Sequence, residues 1–95
     1  MIVAQTIIDQ MGGTNRLIAM IGAKYFVSGD NTVMFAFSGC RKASKVRIKL
    51  NSMDLYDITF FKKSKLDFVA VQTFEGIYND QLKKTFENYT GLYLF

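Results

Sequence analysis

The chain has 95 residues, a formal charge of +4, a single cysteine, and neither histidine nor proline. That length is one domain, residues 1–95, burying roughly 65% of its unfolded surface, and 49% hydrophobic with 15% aromatic residues excludes a disordered chain. The lone Cys40 excludes an internal disulfide, no apolar run approaches the ~18–20 residues of a membrane span, and no basic segment precedes a long apolar N-terminal core, so a reducing, cytoplasmic setting is expected.

Residues 2–11 carry apolar side chains at Val3, Ala4, Ile7, Ile8 and Met11, the spacing of a helix with one apolar stripe. Gly12-Gly13 ends it. Thr14 or Asn15 is the expected cap of a second short helix through Leu17, Ile18, Met20 and Ile21, closed by Gly22. Tyr25-Phe26-Val27 reads as a short strand, and Ser28-Gly29-Asp30-Asn31 is turn chemistry. From Thr32 to Ser38 the residues alternate, with Val33, Phe35 and Phe37 on one side. Residues 39–44 form a basic loop.

Lys45-Val46-Arg47-Ile48-Lys49-Leu50 alternates cleanly: three apolar residues inward, three cations outward. Strands over 54–61 and 65–74 follow, with loops at 51–53 and 62–64. Three-residue loops there pair Ile48 with Tyr56, Arg47 with Asp57, Phe60 with Leu66 and Ile58 with Phe68. In that register Leu66, Phe68 and Ala70 face the core, and both hairpins choose the same core face. Asn79 or Asp80 begins a last helix through Leu82, Phe86 and Tyr89, with Gly91 at its C′ position. The expected fold is therefore α+β: an antiparallel meander of three to four strands, with two short N-terminal helices and one C-terminal helix packed on one face.

Catalytic groups are sparse. Without histidine there is no Ser-His or Cys-His arrangement and no usual zinc site, and no phosphate-cradling glycine motif or calcium loop occurs. Gly12-Gly13 reads as a helix stop rather than an anion-binding turn. Cys40 beside Arg41 and Lys42, and Asp54 with Asp57, are the remaining reactive groups. A loop thiol, a turn aspartate and an ion-paired aspartate account for them. No catalytic residue, cofactor or metal is expected.

Charge is uneven. Arg41, Lys42, Lys45, Arg47, Lys49, Lys62, Lys63 and Lys65 fall within residues 41–65, opposed there only by Asp54 and Asp57. The expected outer sheet face carries Lys45, Arg47 and Lys49 with Phe61, Val69 and Val71, and has Arg41, Lys42, Lys62 and Lys63 at its rims. Cations interleaved with a ring suit single-stranded nucleic acid. Phe61 is the only ring assigned to that face, and the apolar cluster suits a protein contact or a homodimer seam. A solvated face with protective lysines remains the plain alternative. The apolar Leu92-Tyr93-Leu94-Phe95 is a second surface, expected to fold over the core or add an edge strand.

The segments Gly12-Gly13 with 18–27, 46–57, Glu75-Gly76-Ile77-Tyr78 and Thr90-Gly91-Leu92-Tyr93 resemble a family of small uncharacterised proteins of bacteriophages, prophages and mobile elements. The resemblance spans nearly the whole chain. It implies expression in the cytoplasm of an infected bacterium, without implying an activity or any functional residue. The resulting expectation is a non-enzymatic accessory protein that binds a host or phage protein, with host takeover or counter-defence as its setting. Nucleic acid is the alternative partner, and a small enzyme the third reading.

Overall fold

A computed structural model describes residues 2–65 and 67–92. The side chains of Val3 and Ala4, along with Leu66 and residues 93–95, lie outside the described residues. The elements are helices α1 (Ile2–Gln10) and α2 (Thr14–Ile21), strands β1 (Lys24–Ser28), β2 (Thr32–Ala36), β3 (Lys45–Leu50), β4 (Tyr56–Ser64) and β5 (Asp67–Ile77), a 3₁₀ turn (Asn79–Gln81) and helix α3 (Leu82–Thr90). The strands form one antiparallel meander in chain order. The α+β architecture is the expected one, with five strands instead of three to four. No helix among the described residues is long and apolar enough to cross a membrane.

The inward residues of β2, β3 and β4 build the core. Val33, Phe35, Val46, Ile48, Ile58 and Phe60 are buried against Ile7, Ile8 and Met11 from the α1 segment, Leu17 and Ile21 of α2, and Leu82 and Phe86 of α3. All three helices therefore cover one face of the sheet. The cap of α2 differs from expectation: Gly13 is the N-cap and no side chain caps the helix, so Thr14 is already helical. Gly22, at φ 65°, closes α2 in the left-handed conformation, its N–H donating to the Ile18 carbonyl and the Ala23 N–H to that of Leu17. Gly91 closes α3 in the same conformation at φ 75°, its N–H donating to the Glu87 carbonyl.

Both long hairpins depart from the expected register. In β3–β4 the partners are Ile48 with Ile58, Arg47 with Thr59, Lys49 with Asp57 and Leu50 with Tyr56. The cause is Asn51. Its Oδ1 accepts from the backbone N–H of Met53 (2.8 Å) and Leu55 (3.2 Å), which lengthens the loop to residues 51–55. A shift of two residues preserves every face and changes every partner. Arg47 therefore does not pair with Asp57.

In β4–β5 the shift is odd. Lys62, Lys63 and Ser64 continue the strand, Ser64 pairs with Asp67, and Lys65 takes φ 56° in the turn. Ile58 and Phe60 meet Phe74 and Gln72, with a bulge at Val71. The core positions expected of Phe68 and Ala70 are taken by Phe74 and Ile77, which pack against the core cluster. The reason is an aromatic group: Phe60 stands 6.1 Å edge-on from Phe74, 5.8 Å from Phe86 and 4.4 Å from Tyr89.

Phe60 is fully buried within that group. Phe60→Ala should lower unfolding free energy by about 3–5 kcal/mol in urea titrations. Burial also pushes the phenols of Tyr56 and Tyr89 above 10. A raised folded pKa leaves stability whole below about pH 10 and removes it as the phenols ionise above that. The urea midpoint should therefore fall through the alkaline range, and Tyr56→Phe should flatten the fall.

Candidate functional site

Among the described residues, no helix covers the outer face of the sheet. Across its centre run Val27, Met34, Arg47, Thr59 and Thr73, each the register neighbour of the next. One step along lie Ala36, Lys45, Phe61 and Ala70. Thr32, Lys49 and Asp57 form the row on the other side.

Two depressions adjoin there and share Arg47. One of about 190 Å³ is lined by Met34, Lys45, Arg47, Phe61 and Phe68. The Lys45 Nζ lies 4.7 Å from the Phe68 ring centroid, and the Arg47 Cζ lies 5.5 Å from that of Phe61. Each cation thus leans over a ring, an arrangement worth about 0.5–1 kcal/mol at an exposed site. The other, about 340 Å³, is lined by Arg47, Lys49, Asp57, Thr59, Ala70, Thr73 and Glu75. There the Asp57 Oδ1 accepts from the Asn51 Nδ2 and from the Gly76 N–H, both at 3.1 Å. Asp57 braces the loop and a second register shift of the β4–β5 pairing, between Tyr56 and Ile58, and Arg47 is left to its ring.

Of the expected surface residues, Lys45, Arg47, Lys49 and Phe61 come together on this face. Lys63, opposite Phe68, joins them at the hairpin end. Val69 does not: it pairs with Lys62, and the alternation puts both on the helix-side face. Val71, at the bulge, follows Val69, and the pair are 52% and 42% exposed beyond the end of the core. Arg41 is exposed in the loop before β3. Lys42 belongs to the helix side, where its Nζ donates to the Tyr89 carbonyl at 3.3 Å and lies 5.3 Å from the Tyr89 ring centroid.

Met34 and Phe68 are site residues that the expected strand pairing missed. Met34 alternates outward from Val33 and Phe35, a signal already present in the pattern. Phe68 carried no such signal, because its face depends on the bulge. Among the described residues, no three His, Cys, Asp or Glu side chains gather to hold a metal. Cys40 is half-buried and packs against the core. Leu92, the described part of the apolar tail, also packs there. No protein-family model, curated protein or solved structure matches the chain.

Double-mutant cycles on unfolding free energy separate the two assignments of Arg47. Coupling of Arg47→Ala with Phe61→Ala should be about 0.5–1 kcal/mol. Coupling with Asp57→Ala should be near zero, while Asp57→Ala alone costs about 1–3 kcal/mol through its two lost hydrogen bonds.

Proposed function

We propose that the chain is a non-enzymatic binding protein whose working surface is the open sheet face, and whose partner is a protein presenting acidic and apolar side chains together. The observation that carries this is the apolar floor of Met34, Phe61 and Phe68 rimmed by Lys45 and Arg47. Aromatic residues, methionine and arginine are the types enriched at the centres of protein interfaces. The cations give an approaching carboxylate both a partner and an orientation. The resemblance to proteins of phages and mobile elements supports a host or phage protein as that partner, met in the bacterial cytoplasm.

A second reading gains from one observation. Phe68 doubles the rings on the outer face, and two rings among Lys45, Arg47, Lys49 and Lys63 suit a single nucleic-acid strand. The two readings differ in salt response and in stoichiometry.

Affinity capture from the infected host tests the first. A stoichiometric protein should co-purify with the wild-type chain and with Lys42→Ala, which alters the opposite face. Arg47→Glu combined with Phe61→Ala should weaken that capture about tenfold or more. A labelled oligonucleotide tests the second: binding that falls steeply between low and physiological salt would replace the protein reading with it. Capture unchanged by the double substitution would remove the outer face from the function altogether.

A further inference from the structure

The two edges of the sheet differ. β1 is short and irregular: its pairing shifts between Lys24 and Val27, and Tyr25 takes φ 58°. Such an edge is blunted against further pairing. β5 is eleven residues long, exposed from Asp67 to Thr73, and contains no lysine or proline. A two-residue turn closes on a hydrogen-bonded pair, here Ser64 and Asp67. Alternation then turns the backbone N–H and C=O of Phe68 and Ala70 away from β4. The Phe68 N–H agrees, donating to the Asp67 Oδ1 at 2.8 Å. Past the bulge at Val71, the same alternation turns Thr73, opposite Thr59, outward, and the Gly76 N–H, which reaches β4 at the Asp57 Oδ1, leaves Glu75 turned outward before it.

We propose that β5 pairs antiparallel with β5 of a second copy, Phe68 opposite Glu75 and Ala70 opposite Thr73, joining two five-stranded sheets into one continuous sheet. This register matches all four outward-turned residues with one another. Sliding it by two residues in either direction loses half of those pairs. It also keeps faces together, because Val69 meets Phe74 and Val71 meets Gln72 on the helix side. The exposed Val69 and Val71 are thereby covered.

Charge selects the same partner. The second copy's Glu75 arrives opposite Phe68, whose ring lies under the Lys45 Nζ and whose strand neighbour is Lys63. Within its own chain Glu75 shares a depression with Arg47 and Lys49 as well as with Asp57, so the second copy's Lys45 and Lys63 extend a cationic setting that it already has. The twofold axis makes the contact twice. Arg47 and Phe61 stay uncovered, so the pairing goes beyond the binding role proposed above and places two open faces side by side.

Sedimentation equilibrium of the full chain tests it. The wild type should sediment at about twice 10.8 kDa. Ala70→Pro removes an outward N–H, which β4 does not use, and should yield a folded single chain. Glu75→Lys should weaken the dimer about tenfold or more, and adding Lys63→Glu should restore it. That charge exchange decides the matter even where the proline variant does not fold. Arg47→Ala should leave the dimer constant unchanged, so loss of partner capture with an intact dimer counts only against the face-binding role. A wild-type chain that stays single at about 0.1 mM, where even weak specific dimers are populated, would overturn the pairing. So would a dimer constant unaffected by Glu75→Lys.

Discussion

Phe60 and the rings around it are the constraint on which the rest of the molecule depends. It points inward from β4 and gathers Phe74 from β5 with Phe86 and Tyr89 from α3. The Phe74 and Tyr89 rings also meet edge to face at 5.7 Å. Rings of this size supply much of the burial available to a short chain. For Phe74 to face inward, β5 takes an extra residue at Val71, which turns the segment before it over. Phe68 and Ala70 consequently lie outside, where Phe68 meets Lys45. The surface proposed for binding is thus a by-product of how the core closes.

This dependence explains where the sequence could be read and where it could not. β2 and β3 alternate strictly, so their inward residues followed from parity alone. The face of β4 followed too, because the loop before it changed by an even number. The first half of β5 reads Phe68-Val69-Ala70-Val71, apolar on both faces, with no period to choose between them. Its register was settled by the tertiary pull of Phe74 and Ile77 on the core. A bulge has no reliable local signature, so no pattern in residues 65–74 announced the flip.

Polar side chains account for the other differences. Asn51 was legible as a turn residue, but not as one binding two backbone N–H groups and Asp57 at once. That capture replaces the expected Arg47–Asp57 pair. Lys62 and Lys63 read as a turn because a lysine pair is hydrophilic, yet an exposed two-stranded arm tolerates them well. Lys42, counted with the outer face from its neighbours in sequence, is drawn across to the carbonyl and ring of Tyr89. Sequence proximity located the charge correctly along the chain and wrongly in space.

The outer face therefore combines properties usually in conflict. An uncovered sheet face must remain hydrated, yet an interface must shed its water. Here the long cationic side chains lie across the rings, so their stems cover apolar surface while their heads stay in water. Lys45 over Phe68 and Arg47 over Phe61 are already ordered by that contact. The same stacking shields Phe61 and Phe68 from indiscriminate apolar contact. A partner that supplies carboxylates can draw the cations aside and reach the rings beneath; one that supplies only hydrocarbon meets the charges first. For the proposed binding role, a preference for acidic surfaces would follow from the order in which the layers are met.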